Sequence, residues 1–200
     1  MANPELLALF PLEVVLFPGM ALPLHIFEPR YRQMIGECLT RHEPFGVVLE
    51  TAAGRTEVGC SAAIERVVNR YPDGRLDILT EGKQRFRILT TDEGYPYLRA
   101  TVEWLEDAAE DLASERAEAL DLYRRTYWAH AQGLAPSQIA EAPTMSFVIA
   151  RSSLLDVRDR QKLLELGSER ERLGALSEAM RELEPVARLV GGNGHVGKRN

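Results

Sequence analysis

The sequence predicts an α+β protein, with an N-terminal strand-rich part bent into a small β-barrel and a C-terminal helical bundle after it. Three observations carry this. Up to about residue 107 the apolar residues fall in short runs cut by Pro and Gly, with period-two alternation. From "EDAAEDLASERAEAL" onward the composition turns acidic and alanine-rich and the apolar period becomes helical. Strands come first and helices follow, without alternating, which argues against a parallel α/β sheet. The expected parts are 1–107, β-rich, and 108–190, helical, together one domain. Residues 191–200, "GGNGHVGKRN", have no periodicity and read as a flexible tail.

The totals suit a soluble globular chain. Its 200 residues make one large domain or two small ones, which would bury roughly 70% of the unfolded surface. Composition is 45% hydrophobic and 27% charged, with a net charge of -6. That balance repels nucleic acid and anionic membrane. Cys38 and Cys60 lie in no CxxC pattern, which disfavours a disulfide scaffold or zinc ribbon. "MANPELLALF" has no basic start and no cleavable apolar core, and no apolar run approaches the ~20 residues that span a bilayer. The expectation is a cytoplasmic protein with no membrane partner.

The elements follow in order. Leu6–Phe10 and Val14–Phe17 read as strands, Pro18-Gly19 as a type II turn, and Met20–Phe27 as a strand whose Pro23 belongs on an edge or at a bulge. Pro29 opens a helix at the position where a missing N–H costs nothing. Tyr31, Met34, Ile35, Cys38 and Leu39 form its apolar face. Strands resume at Phe45–Glu50 and Val58–Arg70, and Tyr71-Pro72-Asp73-Gly74 is a hairpin turn. On the return strand Gly82 reads as a break. Then "KQRFRIL" puts Phe86 and Ile88 on a buried face and Arg85 and Arg87 on an exposed one. Tyr97–Leu105 is the last strand. In the helical part Leu112, Leu120, Tyr123, Tyr127, Ala131 and Leu134 form a stripe that Gly133 and Pro136 end. Pro143 opens the next helix, Asp159–Leu166 is a third, and Ser168-Glu169-Arg170-Glu171 is a capping box before Leu173, Leu176, Met180 and Leu183.

Several stretches carry a resemblance: "FPLEVVLFPGMALPLHIFEPRYRQMI", "FGVV" at Phe45–Val48, "VGCSAAIERV", "EGKQRFRI" and, more weakly, "RQKLLEL". Together they resemble the N-terminal substrate-binding domain of the Lon protease family, over nearly residues 5 to 190. The resemblance implies a PUA-like β subdomain followed by helices, and a role in recognising protein substrates. Lon proteases continue into an ATPase module and a protease module with a Ser–Lys dyad, and neither has a counterpart here. The expectation is a stand-alone recognition domain, not an enzyme.

Other chemical signals are weak. Gly192 to Lys198 matches G-x-x-x-x-G-K, but Arg199 stands where a P-loop needs Ser or Thr, and no helix follows. Cys38 and His42 stand four apart, yet His25, Cys60, His130 and His195 have no spacing that completes a zinc site, so Cys38 reads as a small buried hydrophobe. No G-x-S-x-G or H-E-x-x-H occurs. No cofactor or metal is expected.

Binding has three candidate places. The Glu28–Tyr31 hinge offers a carboxylate and a guanidinium, Glu28 and Arg30, beside an apolar strand; Tyr31 belongs to the core stripe. Arg85 and Arg87, with Lys83, make a basic strand face that suits phosphate or an acidic peptide, or is simply solvated or ion-paired. Trp128 lies beside the stripe of Tyr123 and Tyr127 and is the contact candidate of the helical part. The expected partners are unfolded or apolar polypeptide segments, and a separate ATPase or protease that the module docks. RNA binding through a PUA-like barrel is the alternative, which the acidic balance disfavours.

Overall fold

The computed structural model describes the backbone of residues 5–128, 134–153 and 155–191, and side chains over 6–127, 134–153 and 155–185. The chain divides into two compact units. The first joins Met1–Glu106 to Val157–Glu165, and the second is built from 107–156 and the described residues after 165. A helical segment thus returns to the strand unit, a division that the split at residue 107 does not anticipate.

The first unit is mixed α/β. Its elements are β1 (Glu5–Leu12), β2 (Ala21–Ile26), α1 (Pro29–Arg41), β3 (Phe45–Thr51), β4 (Gly54–Arg70), β5 (Leu76–Asp92), β6 (Arg99–Leu105) and, from later in the chain, a helix at Val157–Glu165. The six strands form one sheet in the order β2-β5-β4-β3-β1-β6. β1 and β3 are parallel, and the other pairs are antiparallel. β5 is long enough to take β2 along its first half and β6 along its second. The result is a curved six-stranded sheet with β2 left on an edge, and not the simple barrel expected from the short runs.

Local chemistry explains the corners. Met20 N–H donates to Phe17 O at 3.0 Å, and Gly19 has φ 72, as a type II turn at Pro18-Gly19 requires. Gly82 N–H donates to Met20 O, and Ala21 stands opposite Glu81. Main-chain bonds from β2 to β5 therefore fall at the even residues, and Pro23 turns its missing N–H to the free edge. The predicted strand Val14–Phe17 is instead an irregular connection, although Val15, Leu16 and Phe17 are buried. Gly82 does not break β5. This connection crosses the strand there, Gly19 N–H donates to Gly82 O at 2.7 Å, and a Cβ on Gly82 would lie 2.2 Å from Phe17 O.

α1 buries Tyr31, Met34, Ile35 and Cys38 against the sheet, among Phe10, Ile26, Phe45, Val47 and Ile78. Phe10 and Tyr31 pack with tilted rings, centroids 4.1 Å apart. A second cluster holds Leu7, Leu9, Val48, Phe86, Ala100 and Val102. Phe86 is fully buried there, its ring against Gly46 and Gly59, where any Cβ would come within 2.6 Å of it. Ile88, expected in the core, is only half-buried.

In the second unit α2 (Ala113–Tyr123) runs into a π-helical turn, Arg124–Trp128. α3 (Pro136–Ala140) is opened by Pro136, not ended by it; the main-chain N–H of Ala135 is capped by Gln138 Oε1 at 3.0 Å. α4 spans Met145–Ser152, the helix that returns to the first unit is α5 (Val157–Glu165), and α6 is Glu169–Gly191. The capping box forms as the sequence predicts: Ser168 Oγ accepts from Glu171 N–H at 3.2 Å, and Ser168 N–H donates to Glu171 Oε2 at 3.0 Å. Leu173, Leu176 and Met180 are buried along α6. The tail 192–200, with its G-x-x-x-x-G-K match and His195, lies outside the described residues, as do His130, Ala131, Gly133 and Leu154. Among the described residues no helix is long and apolar enough to cross a membrane.

Candidate functional site

The hinge forms where β2 ends and α1 begins. Glu28 is extended, with φ -68 and ψ 135, and its carbonyl accepts the N–H groups of Tyr31 and Arg32. Its carboxylate does not cap the helix. It takes Arg30 Nε at 3.0 Å instead, and the Arg30 guanidinium lies 4.5 Å over the Tyr31 ring. Glu28 and Arg30 are thus brought together as an exposed ion pair, while Tyr31 is core. Beside them Phe27 is 58% exposed and stacks on His25. His25 Nδ1 meets Asp77 Oδ1 at 2.6 Å, and Tyr71 OH donates to Asp77 Oδ2 at 2.8 Å. The hydrogen bond from His25, then that from Tyr71, hold the Asp77 carboxyl below its ordinary pKa.

Along α1 from this hinge the surface is cleft. A polar cleft of about 270 Å³ is lined by Arg30, Tyr31, Glu50, Arg55, Glu93 and Tyr95, among others. A second, of about 250 Å³, lies by Glu37, Arg41, Tyr95, Tyr97 and Arg99. Here Tyr97 OH donates to Glu37 Oε2 at 2.7 Å and Gln33 Nε2 to Glu37 Oε1 at 2.9 Å. The hydrogen bond from Gln33, then that from Tyr97, depress the Glu37 pKa, and burial with the Glu37 bond raises that of Tyr97. A third cleft, of about 450 Å³, opens past the end of α1 between Leu39, Pro44, Ala63, Ile64 and Trp104. His42 closes the helix in the left-handed conformation, φ 57, its N–H on Cys38 O. Cys38 is buried, and burial pushes its thiol up to about 11; Cys60 is pushed to about 12 for the same reason. Both are inert packing groups at neutral pH.

The basic strand is not the patch the sequence suggests. Lys83 Nζ lies between Glu65 Oε1 at 3.0 Å and Glu81 Oε2 at 2.8 Å. Arg85, expected on the exposed face, is 4% exposed and donates from Nη1 to Leu164 O at 2.8 Å. α5 covers this face of β4 and β5: Gln161 Nε2 also donates to Val58 O at 3.0 Å. Arg87 remains exposed. The three basic residues therefore have three different environments.

In the second unit the side chain of Trp128 lies outside the described residues. The sequence reading missed a buried ionic cluster there. Arg172, fully buried, pairs with Asp107 and with Glu169 Oε2 at 3.0 Å, donates to Ser146 Oγ at 3.0 Å and Leu166 O at 3.1 Å, and lies 4.4 Å over Phe147. Glu169 in turn accepts Ser146 N–H at 2.9 Å. The cluster ties Asp107 and the start of α4 to the start of α6. Among the described residues no group of three or more His, Cys, Asp or Glu is placed to hold a metal.

Comparison with known proteins agrees with this architecture. The chain is 34% identical over 115 residues to the Lon protease of Parabacteroides distasonis, a match covering 54% of this chain and 14% of that protein. It is 26% identical over 203 residues to the Lon protease of Dictyoglomus thermophilum, covering 90% of this chain and 25% of that one. The chain thus spans a quarter or less of these relatives' length. Among solved structures, the Lon N-terminal domain protein from Xanthomonas campestris superposes with a TM-score of 0.70 at 25% identity, covering 86% of this chain and 96% of that one. The family model of the substrate-binding domain of the ATP-dependent protease La (Lon) matches residues 6–182, and the chain belongs to that family.

Proposed function

We propose that this chain is a polypeptide-binding module that holds extended, apolar-rich segments of other proteins and does no chemistry on them. The observation that carries the reading is the match of residues 6–182 to a substrate-binding domain. The α1 flank, from the Glu28–Arg30 pair to the His42–Pro44 turn, is the surface we assign to it. Three clefts lie there, and among the described residues no group of three or more His, Cys, Asp or Glu is placed to hold a metal. We read the sheet unit as PUA-like and the second unit as a helical bundle that supports it. The partners are unfolded or apolar segments, and an ATPase or protease that acts on what is held. The RNA-binding alternative comes from the PUA-like resemblance, with Lys83 to Arg87 as the clustered basic strand it would use. The pairing of Lys83 and the burial of Arg85 support the polypeptide reading over it.

Fluorescence anisotropy with a labelled unfolded client and a labelled RNA, each at two salt concentrations, tests this. Client binding in the micromolar range, about -8 kcal/mol, with little salt dependence is expected. RNA binding tighter than that of every client, falling steeply with salt, would overturn it. Calorimetric titration with ATP should give no saturable heat. A saturable signal lost on deleting residues 191–200 would restore the nucleotide site.

A further inference from the structure

We propose that the α1 flank takes an extended segment with two anchors, a bulky apolar residue at the His42 end and a Lys or Arg about six residues away at the Arg30 end. This rests on the polypeptide-binding reading above. The three clefts neighbour one another in series. The large cleft and the middle one share Cys38, Glu43 and Pro44, and the middle and polar ones share Tyr95 and Tyr97. A compact ligand would fill one of them, whereas clefts in a row fit an extended chain.

The two ends differ in chemistry. At the His42 end the apolar side chains of Leu39, Pro44, Ala63, Ile64 and the half-buried Trp104 line the cleft, with His42, Glu43, Ser61 and Gln84 at its polar side. The nearby Lys83 charge is already offset by Glu65 and Glu81. The space, about 450 Å³, exceeds the roughly 150 Å³ that holds a benzene ring in an apolar cavity. At the Arg30 end the Arg30 charge is taken up by Glu28 at 3.0 Å. That leaves Glu50, Glu93 and Arg55 as the other charged residues lining this cleft, and both carboxylates are exposed. The excess of one negative charge complements a cationic side chain. The 13 residues of α1 span about 20 Å at 1.5 Å each. An extended chain at about 3.3 Å per residue covers that in about six residues.

The test uses the full chain and labelled Gly/Ser-rich peptides in fluorescence anisotropy. One peptide carries Phe and Lys about six positions apart, one carries them adjacent, one carries Phe alone and one carries neither. The spaced peptide should bind about fivefold tighter than the adjacent or Phe-only peptide, the worth of one exposed ion pair. The peptide with neither should bind least. Ala63→Phe fills the large cleft and should weaken every Phe-containing peptide about tenfold or more. Glu93→Gln, on an exposed side chain, should bring the spaced peptide down to the Phe-only level and leave the Phe-only peptide unchanged. Urea melts report whether both variants fold; if Ala63→Phe does not, Glu93→Gln decides alone. Affinity independent of spacing, or a folded Ala63→Phe with wild-type affinity, overturns the two-anchor proposal. If an unfolded client still binds in that case, the polypeptide reading survives it. If neither peptides nor client bind the wild type, both fall.

Discussion

Arg85 and Phe86 are neighbours on β5 and both are shut from water, for different reasons. Phe86 points into the core; Arg85 points out and is roofed by α5, with Leu164 O as one acceptor. Phe86→Ala should cost ~3–5 kcal/mol through the cavity it leaves. Arg85→Ala should cost about 1–3 kcal/mol, because a buried carbonyl loses its donor, whereas Arg87→Ala should cost under about 0.5 kcal/mol. Urea melts should rank the three in that order; equal effects for Arg85 and Arg87 would mean α5 does not cover the strand. Period two made Phe86 and Arg87 legible in the sequence. It could not show Arg85, because its cover comes from residues 157–165 and nothing local announces it. A second residue-scale effect concerns Glu37. Its carboxyl titrates below the ordinary range, through Gln33 and then Tyr97. A lowered carboxylate pKa adds stability that is present above the unfolded value and lost as pH falls through the folded one. Tyr97→Phe should therefore flatten the acid limb of the stability profile and raise the Glu37 pKa in an NMR titration.

At the scale of elements, the legible features are those whose causes are local. The turn at Pro18-Gly19, the Pro29 helix start, the α1 stripe and the Ser168–Glu171 box all formed as their residue types require. What failed was read from residues whose meaning depends on a distant segment. Gly82 resembles a breaker, yet it is the place where the Phe17–Met20 connection crosses an unbroken strand. Pro136 resembles a stop and is a start. Two glycine replacements separate these roles. Gly82→Ala would put a Cβ against main chain and should destabilise by about 1–3 kcal/mol or more. Gly36→Ala, on the solvent side of α1 with nothing within 4 Å, should stabilise by up to about 1 kcal/mol through helix propensity. Thermal melts of the two variants should move in opposite directions. A Gly82→Ala variant as stable as the wild type would contradict the crossing at β5.

For the whole molecule, the sequence announced the hinge but not the clefts. Glu28 and Arg30 are two residues apart in the chain, so their pairing is local. The clefts are lined from α1, from all the strands but β2 and from the 93–98 connection, which only the sheet order brings together. Of the other named candidates, Arg85 is spent on α5 and Arg87 is exposed at a distance along β5 from the hinge pairings. The hinge pair can be tested without unfolding the protein, because its two charges already meet at 3.0 Å. The double reversal Glu28→Arg with Arg30→Glu keeps an ion pair and inverts its polarity. An exposed pair and a charge near a helix start are each worth at most about 1 kcal/mol, so the melting curve should stay close to wild type. Client recognition should still change, since the inverted pair places a carboxylate where Arg30 lay over Tyr31 and beside the polar cleft. Anisotropy with an unfolded client should show weaker binding by the double variant. Unchanged client affinity in a folded double variant would remove the hinge from the binding surface.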